Sequence, residues 1–448
     1  MPTLVRLVSL PGFRWYALLI LAVAAATLGA IVSPFATLCL ALLGASIWGA
    51  VAAGRERRLG VGVLGAVAAA ILMPPLYTAL PPYAGPSVGS LWLAVLALTA
   101  RRPPGVTATY TLFALAMALG LTGNLVASPI PWDSDVVSLF AILVGFFAQS
   151  LTASEWRLVR HGIICIATIE ALICGVEVFV LEATLTGSLE GGPHPLIDGT
   201  VRAEGTLGHA LVAGMVMLVG LLLAVSSDLR VQWKIILMAV LGVGIIACGS
   251  SSVYIAAILC LSFRFLSSGS LAIRLAKYVT VTAAASYLLF GSTILAPVTN
   301  DVSGVNSIHR LNSFIAFPRL LTDRPILEGL FGSGWGSAKK NYQAGYLIND
   351  NFFAIDNQFT TVMMSAGLIG FILFVAAVAL ALLQSDSSTR LALFSMVFMF
   401  LSFDVLGWGA TAVLFIVLAV NKSKPRPLRG SAEVDGQNLG TVTAAASA

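Results

Sequence analysis

Charged residues are scarce in this chain of 448 residues, since only 10% are Asp, Glu, Lys or Arg. A typical soluble domain has roughly 25% charged residues. Hydrophobic residues make up 58% of the sequence, and the mean hydropathy is +0.94. A soluble fold could not hide so much apolar surface, so the composition excludes an ordinary soluble enzyme and predicts a protein embedded in lipid.

Cysteine is also sparse, and its placement predicts no disulfide framework. The five cysteines fall in or at the ends of apolar runs, and no Cys/His spacing matches a zinc-binding pattern. Lys and Arg do not alternate with aromatic residues in any stretch, so the net charge of +5 indicates loops that face anionic lipid rather than nucleic acid. The cysteines are Cys39, Cys165, Cys174, Cys248 and Cys260.

Long apolar runs dominate the sequence. A helix needs about twenty mainly apolar residues to cross the hydrocarbon core. Measured against that length, the chain is predicted to be an all-α, polytopic membrane protein of about 14 (12–14) transmembrane helices with one long extracytoplasmic loop. The predicted spans are 15–32, 35–53, 59–79, 87–100, 106–126, 136–152, 162–184, 207–226, 232–248, 251–267, 272–296, 356–383, 389–403 and 405–420.

The distribution of Lys and Arg predicts how the chain crosses the bacterial cytoplasmic membrane. With a cytoplasmic N-terminus, the inside segments hold 19 of the 25 Lys and Arg residues. The connections alternate strictly, so both termini are predicted to be cytoplasmic. The remaining cations all lie in two outer segments, residues 185–206 and the long loop 297–355. They are Arg202, Arg310, Arg319, Arg324, Lys339 and Lys340.

The chain divides into three predicted parts. Residues 1–206 contain the N-terminal transmembrane helices. Residues 207–420 form a second transmembrane region that includes the outer loop 297–355. Residues 421–448 lack hydrophobic periodicity and are predicted to be a disordered cytoplasmic tail.

The first candidate site is the segment 202–209, Arg-Ala-Glu-Gly-Thr-Leu-Gly-His, at the outer mouth of the span that starts near residue 207. Arg202 offers a planar fork of donors that matches phosphate oxygens. The two glycines let the backbone approach a ligand closely, and a helix N-terminus capped by Thr206 favours anions. The segment therefore predicts a pyrophosphate-binding corner. The alternative is that Arg202 and Glu204 are solvated loop charges and that His209 faces a lipid headgroup.

The second candidate site lies in the long outer loop. His309 and Arg310 are adjacent there, and Arg310 is the preferred functional cation. Apolar residues around them predict an interfacial helix with a kink at Pro318. On the alternative interpretation, Arg319 and Arg324 only contact lipid phosphates. The predicted apolar stripe consists of Leu311, Phe314, Ile315, Leu320 and Leu321.

Two further segments complete the outer face. Closely spaced glycines at 329–336 can aim backbone N–H groups at an anion, although such loops are more often simple turns. Asp356 and Asn357 open the span that begins near residue 356. Asp at a helix start is usually a cap. The functional interpretation is that Asp356 orients or deprotonates a sugar hydroxyl at the same face as Arg202 and Arg310.

Three acids share the span 162–184, and Glu170 and Glu177 lie seven residues apart on one helical face. Intramembrane acids are costly and usually functional. They could line a polar cavity, carry protons in a transporter or pair with neighbouring helices. The third acid is Glu182.

Taken in order, these segments resemble the O-antigen ligase and O-antigen-polymerase-like superfamily. The shared elements are Arg-x-x-Gly-Thr-x-Gly-His at 202–209, Arg310 with the Gly-x-Gly turn at 332–334, and Asp-Asn at 356–357 followed by Gly-Leu-Ile-Gly at 367–370. The resemblance covers residues 200 to 385. Relatives often have Ser-Arg where this chain has Gly-Ser-Ser-Ser-Val at 249–253, and many have His where it has Asp356.

The resemblance implies a metal-independent membrane glycosyltransferase that needs no cofactor. Such an enzyme polymerises or transfers undecaprenyl-diphosphate-linked glycan units outside the cytoplasmic membrane, for cell-surface or exopolysaccharide synthesis. It implies that Arg202 and Arg310 neutralise the diphosphate and that Asp356 activates the acceptor. Its partners would be the glycan donor, the glycan acceptor, the bilayer and other polysaccharide-export proteins. The expected substrate-binding residues are Glu204, His209, His309, Arg319 and Asn357.

Two other functions remain open at this stage. A transporter or flippase of the same lipid-linked glycans would explain the many helices and the acids of one span. It would also predict inverted repeats, broken helices and charges at the midplane. A structural subunit of an export complex would leave the outer arginines without a role. Because the polar residues concentrate outside the spans, the glycosyltransferase is the favoured prediction.

Overall fold

The computed structural model describes residues 57–72, 90, 93–94, 106–127, 133–185, 194–197, 199–266, 305–348 and 355–421. The side chains of residues 124–127, 133–135 and 305–311 lie outside the described part. The described chain forms α-helices joined by turns, as predicted. In chain order they are α1 (Arg58–Leu72), α2 (Ala108–Ala127), α3 (Asp133–Ala148), α4 (Ala153–Val176), α5 (Ala210–Val225), α6 (Val231–Cys248), α7 (Ser251–Leu266), α8 (Val305–Thr322), α9 (Ile326–Phe331), α10 (Ala338–Gln343), α11 (Gln358–Gln384), α12 (Ser387–Met399) and α13 (Gly409–Val420).

Three of the described helices are long and apolar enough to cross a membrane, namely Ala153–Leu181, Val231–Cys248 and Gln358–Gln384. Shorter apolar helices accompany them. Large apolar side chains such as Trp233 in α6 and Leu383 in α11 are exposed, and lipid suits these faces better than water. The helical architecture is thus confirmed in the described residues, and its long apolar helices are compatible with a membrane protein. The number of spans and the position of the termini stay predictions. The predicted spans 15–32, 35–53 and 272–296, and most of 87–100, fall outside the described residues.

Helices α5 and α13 form the centre of the described bundle. Every residue from Ala210 to Ala224 is buried, and so is every residue of α13. A helix that is hydrophobic on all sides needs other helices around it. Helices α4, α6 and α12 pack around α5, while α1, α3 and α12 pack against α13.

Polar contacts gather the starts of α4 and α12 at one end of the bundle. Arg160 pairs with Asp228 in the α5–α6 turn at 3.6 Å. Burial alone would raise the pKa of Asp386, the cap of α12, but hydrogen bonds from Ser388 and Thr389 and the nearby Arg160 lower it. This is the end predicted to be cytoplasmic, and the arginine of segment 202–209 lies at the opposite ends of α4 and α6.

Helix α11 is broken at Gly367, where φ is 67° and ψ is −171°. This backbone conformation is nearly restricted to glycine, and a Cβ atom here would overlap the backbone of Leu330. The glycine-rich turn 332–336 packs into the break. The N–H of Ser333 donates to Met364 O, and that of Gly334 donates to Ser365 O, both at 2.9 Å. These N–H groups are therefore not free to bind an anion.

Arg324 lies beside the same break, and its interpretation as a contact to lipid phosphates is wrong. It is buried, and its Nη1 and Nη2 atoms donate to Met364 O at 3.0 Å and Met363 O at 3.2 Å. It also donates to Leu320 O and to the Ser333 hydroxyl. Burial lowers the pKa of Arg324 to about 10. The guanidinium thus satisfies carbonyl groups that the interrupted helix leaves without partners.

Helix α8 has two different apolar faces. Ser313, Ala316 and Leu320 are buried against the start of α11 and its neighbours, whereas Phe314 and Ile315 are exposed. The predicted surface stripe therefore holds for the exposed residues and is wrong for Leu320. The helix continues through Pro318.

Candidate functional site

Residues 202–209, here called the arginine loop, lie where α4 and α6 end and α5 begins. The N–H of Ala203 donates to Ala247 O at 3.0 Å, and Arg202 Nε donates to Cys248 O at 3.3 Å. Both carbonyls belong to the last turn of α6. Carbonyls in the last turn of a helix lack partners within that helix, and this end of the helix carries the negative pole of the helix dipole. The fold therefore holds an arginine at a helix end that favours a cation.

Arg202 uses only its Nε atom in this contact. Its two terminal nitrogens make no hydrogen bond with any residue in the described part of the chain, and the side chain is partly exposed. Burial is the main cause of the lowered pKa of His194 and His209, and the Arg202 charge adds to it at both. Arg202 thus presents a donor fork that remains available for an anion.

Two acids from the α4 segment hold the backbone of the arginine loop. Glu177 Oε2 accepts hydrogen bonds from the N–H groups of Glu204 at 2.9 Å and Gly205 at 2.8 Å. Glu170 accepts from the N–H of Thr206 at 3.1 Å and also from its hydroxyl. Successive N–H groups form a natural anion site. The protein's own carboxylates occupy that site, so the backbone part of the predicted pyrophosphate corner is already filled.

These contacts give the intramembrane acids a structural role. Glu170 and Glu177 are fully buried, and Glu177 also accepts from the N–H of Leu185 at 2.7 Å. Gly205 has a φ of +59°, and a Cβ atom there would overlap Glu170 Oε2, so the close approach predicted for this glycine is to Glu170. Glu182, at the end of the π-helical turn Glu177–Leu181, is exposed.

His209 ends the arginine loop and caps α5. Its Nδ1 accepts from the N–H of Leu211 at 3.3 Å, so the predicted capping role of Thr206 is wrong. The imidazole stacks on Phe403 with ring centroids 6.2 Å apart and contacts Trp408 at 5.0 Å. Burial and the Arg202 charge lower its pKa to about 4. His209 is therefore a neutral imidazole wedged between aromatic rings.

The polar residues at the start of α11 have different roles. Asn357 is the helix cap, because its Oδ1 accepts from the N–H of Thr360 at 3.0 Å. Asp356 precedes the cap and is partly exposed, so the alternative interpretation of Asp356 as the cap is wrong. The Asp356 carboxylate is therefore not used to cap α11, and Asp356 takes part in at least one other interaction.

The turn between α12 and α13 contacts both the arginine loop and the start of α11. The N–H of Gln358 donates to Phe400 O at 2.8 Å, and Gln358 Oε1 accepts from the N–H of Leu406 at 2.6 Å. Phe403 and Trp408, which contact His209, belong to the same turn. Asp404, which lies between these two residues in sequence, caps the turn and accepts from Gly407 N at 3.2 Å. The Arg202–His209 and Asp356–Asn357 segments therefore meet at one end of the bundle.

Asp404 is a polar residue of this end that sequence reasoning missed. The only signal was an acid between the spans 389–403 and 405–420, on the face where Asp356 was predicted. A single acid in a short turn is not informative until the turn is packed against α11.

The remaining predicted site residues lie on or near α8. The backbone of Arg310 is in α8, one helical turn before Ser313, whose carbonyl accepts from the Thr360 hydroxyl at 3.0 Å. The side chains of His309 and Arg310 lie outside the described residues. Arg319 is exposed, and Glu204 is only 2% exposed.

Metal independence stays a prediction. Within the described ranges, His, Cys, Asp and Glu side chains form no cluster of three or more that could hold a metal ion. Asp133 and Asp135 have an Asp-x-Asp spacing, and carboxylates at such spacing can bind divalent cations. Their side chains lie outside the described part, so a chelation experiment is needed.

Neither the scan against protein-family models nor the search of curated protein sequences finds a match for this chain.

Proposed function

We propose that this protein is a membrane glycosyltransferase that acts on glycans linked to a polyprenyl diphosphate, outside the cytoplasmic membrane. The reaction joins a glycan from this donor to a hydroxyl of an acceptor and releases the lipid diphosphate. The proposal covers a polymerase, whose acceptor is another glycan unit, and a ligase, whose acceptor is a different molecule.

The observation that carries the proposal is the terminal fork of Arg202. A partly exposed arginine that is held at Nε and has no hydrogen bond at its other nitrogens within the described chain is suited to a planar, bidentate contact with a phosphate. Arg310 lies on α8, which packs against α11, and is expected to supply a second cation. Charge grows on the diphosphate as its bond to the sugar breaks, and fixed cations stabilise that charge.

The acceptor needs a group that removes its proton. We assign this role to Asp356, which is partly exposed at the same end of the bundle and is not needed as a cap. The acceptor oxygen forms a bond to the anomeric carbon while the carbon–oxygen bond to the diphosphate breaks. The hydroxyl proton passes to Asp356, and the leaving diphosphate keeps the electron pair.

The rival function, a transporter, loses its two supporting features. The acids Glu170 and Glu177 use their oxygens to hold the arginine loop, so they need no proton pathway to explain them. The break in α11 resembles the discontinuous helices of transporters. Its carbonyls at Met364 and Ser365 are occupied by Arg324 and by the turn 332–336, so the break offers no free carbonyl cluster for an ion.

The proposal can be tested in cells whose own copy is replaced by Arg202→Gln. We expect the variant to accumulate in the membrane while surface polysaccharide, quantified on gels, falls by at least tenfold. Arg157→Gln is the matched control, because Arg157 is an exposed cation at the other end of α4. Normal polysaccharide from Arg202→Gln would contradict the proposal.

The same cells can be used to test whether the reaction needs a metal ion. Membrane vesicles from producing cells should extend the polymer at an unchanged rate after EDTA treatment. A loss of polymer that added Mg²⁺ or Mn²⁺ restores would instead show that the reaction needs a divalent cation.

A further inference from the structure

The segment that leads to Arg202 contains His194, and it is attached to the last turn of α6. His194 Nε2 lies 2.8 Å from Ile246 O. The N–H of Ala203 and the Nε of Arg202 donate to the next two carbonyls of the same turn, at 3.0 and 3.3 Å. Three successive carbonyls of α6 therefore contact three groups from one segment of the chain. The end of α6 is thus the support on which the arginine is placed.

The contacts of the His194 ring determine which of its nitrogens carries hydrogen. His194 Nδ1 accepts from the N–H groups of Leu196 at 3.1 Å and Ile197 at 3.0 Å. A ring nitrogen that accepts carries no hydrogen, so the neutral ring has its hydrogen on Nε2 and donates it to Ile246 O. A second proton on Nδ1 would face both N–H groups. The buried ring therefore acts in its neutral form with both nitrogens in use.

The carbonyl of Ile246 does not depend on His194 for a partner. It also accepts from the N–H of Gly249 at 3.0 Å and from the Tyr254 hydroxyl at 2.8 Å. Loss of the imidazole would therefore leave this buried carbonyl satisfied, which avoids the larger part of the usual energetic cost. What would be lost is the attachment of the segment to the helix.

The segment is also packed closely on the end of α6. Gly249 has a φ of +59°, and a Cβ atom there would lie 3.0 Å from His194 Cδ2 and 2.7 Å from Pro195 Cδ. The N–H of His194 donates to Thr200 O at 2.9 Å, which closes a turn two residues before Arg202. A displacement of the ring is therefore expected to displace Arg202.

We propose that His194 is a positioning residue for Arg202. As the neutral tautomer with hydrogen on Nε2, it fixes residues 194–203 on α6, so that the terminal nitrogens of Arg202 are oriented before a diphosphate arrives. The inference rests on the proposed function for the identity of this ligand. A guanidinium that is already ordered loses less conformational entropy when it binds. His194 acts through the segment and needs no contact with the ligand.

The charges near His194 favour the same neutral state. Burial is the main cause that lowers the pKa of His194 from its ordinary value of 6.5. The hydrogen bond to Ile246 acts in the opposite direction, and the positive charge of Arg202 adds to the lowering. Two acids of the same outer segment, Glu190 and Asp198, lie outside the described residues.

Solid-state NMR of the full-length protein in lipid, made with ¹⁵N-labelled histidine, tests the tautomer without any substrate. The spectrum is recorded at about pH 6, below the ordinary pKa of histidine. The signals that His194→Gln removes should show hydrogen on Nε2 and none on Nδ1. Hydrogen on Nδ1, in a neutral or a charged ring, would overturn the proposal, because Nδ1 could then not accept from the segment.

The positioning role is measured by the affinity for undecaprenyl diphosphate, taken from the rise in melting temperature as this ligand is titrated. His194→Ala should weaken binding by about tenfold, the order expected when the ligand itself has to order a charged side chain. Without ligand, the same variant should melt only slightly below the native protein, because Ile246 O keeps two donors. His161→Gln is the matched control, since His161 is exposed near the other end of α4.

A conservative variant separates positioning from loss of packing. His194→Gln keeps an N–H donor at the position of Nε2 and should recover most of the affinity. Asn keeps only an acceptor at the position of Nδ1, because its side chain is too short to reach Ile246 O, so His194→Asn should bind as weakly as His194→Ala. Native affinity in His194→Ala would overturn the role. If His194→Ala fails to fold, equal affinities of His194→Gln and His194→Asn would overturn it.

The proposed function fails in a different way. If undecaprenyl diphosphate does not raise the melting temperature of the native protein, the proposed ligand is contradicted. The NMR spectrum would still decide whether His194 holds the segment on α6 in the stated tautomer.

Discussion

Two regions of this protein bury charges against backbone groups, and they do so with opposite signs. At the arginine loop, the carboxylates of Glu170 and Glu177 accept hydrogen bonds from successive N–H groups. At the break in α11, the guanidinium of Arg324 donates to successive carbonyls. Each region contains irregular backbone next to helices that are otherwise apolar, and a buried ion supplies the partners that water would provide elsewhere.

The comparison separates structural charges from functional ones in a membrane protein. Glu177 and Arg324 use their hydrogen-bonding groups on the protein itself. Arg202 uses one nitrogen of its guanidinium and keeps the others available. An intramembrane or interfacial charge is therefore a candidate for substrate binding only where the fold leaves part of it unused.

The largest effect is expected at Arg324. Arg324→Met keeps a long side chain but removes the donor to the carbonyls of Leu320 and Met363, while Met364 O keeps the N–H of Ser333. Each unsatisfied buried group costs about 1–3 kcal/mol, so the free energy of unfolding should fall by about 2–6 kcal/mol. Thermal unfolding in detergent would measure this loss, and Arg319→Met, at an exposed position of α8, should change little. An unchanged melting temperature for Arg324→Met would show that the contacts are incidental.

This contrast also shows what the sequence could predict. Hydropathy located α5, α6 and α7 to within a few residues, because lipid imposes a minimum length on each apolar run. It could not tell that Arg324 is buried while Arg319 is exposed, since both lie in the same polar loop. That difference depends on the break at Gly367, about forty residues further along the chain.

The candidate site was also predictable only in part, because local sequence patterns do not show contacts that are distant in sequence. The order of Arg202, His209 and Asp356 indicated an anion site, and local patterns such as helix starts suggested caps. The caps were assigned to the wrong neighbours, Thr206 instead of His209 and Asp356 as an alternative to Asn357. Each choice depends on contacts with Glu170 or with the turn of Asp404, which lie far away in sequence.

A second, smaller effect is expected at Glu177. Glu177→Gln keeps the shape but replaces charge-assisted bonds to Glu204 N and Gly205 N with neutral ones. Hydrogen bonds to charged groups contribute about 1.5–3 kcal/mol each, so we expect the free energy of unfolding to fall by about 2–4 kcal/mol. Glu182→Gln is the control, because Glu182 is exposed near the same helix end. If both variants have the same melting temperature as the native protein, Glu177 does not stabilise the arginine loop.

The smallest effect concerns pH and His209. Its pKa of about 4 in the folded protein lies below the ordinary value of 6.5, so the unfolded chain binds this proton first as pH falls. The associated stability is complete above pH 6.5 and is lost as pH falls from 6.5 to 4, by about 1–3 kcal/mol. His209→Asn keeps a capping side chain but cannot titrate, so its melting temperature should fall less between pH 7 and pH 5. An identical fall in both proteins would contradict the neutral, enclosed imidazole.

The central claim is that Arg202 binds the diphosphate of a lipid-linked donor. Stabilisation of the protein by added ligand measures this binding most directly. Undecaprenyl diphosphate added to the purified protein should raise its melting temperature, since binding to the folded state alone stabilises it. Arg202→Gln should abolish that rise, whereas Arg157→Gln should retain it. An equal rise in the native protein and in Arg202→Gln would mean that the diphosphate is held elsewhere, and the account of the site would be wrong.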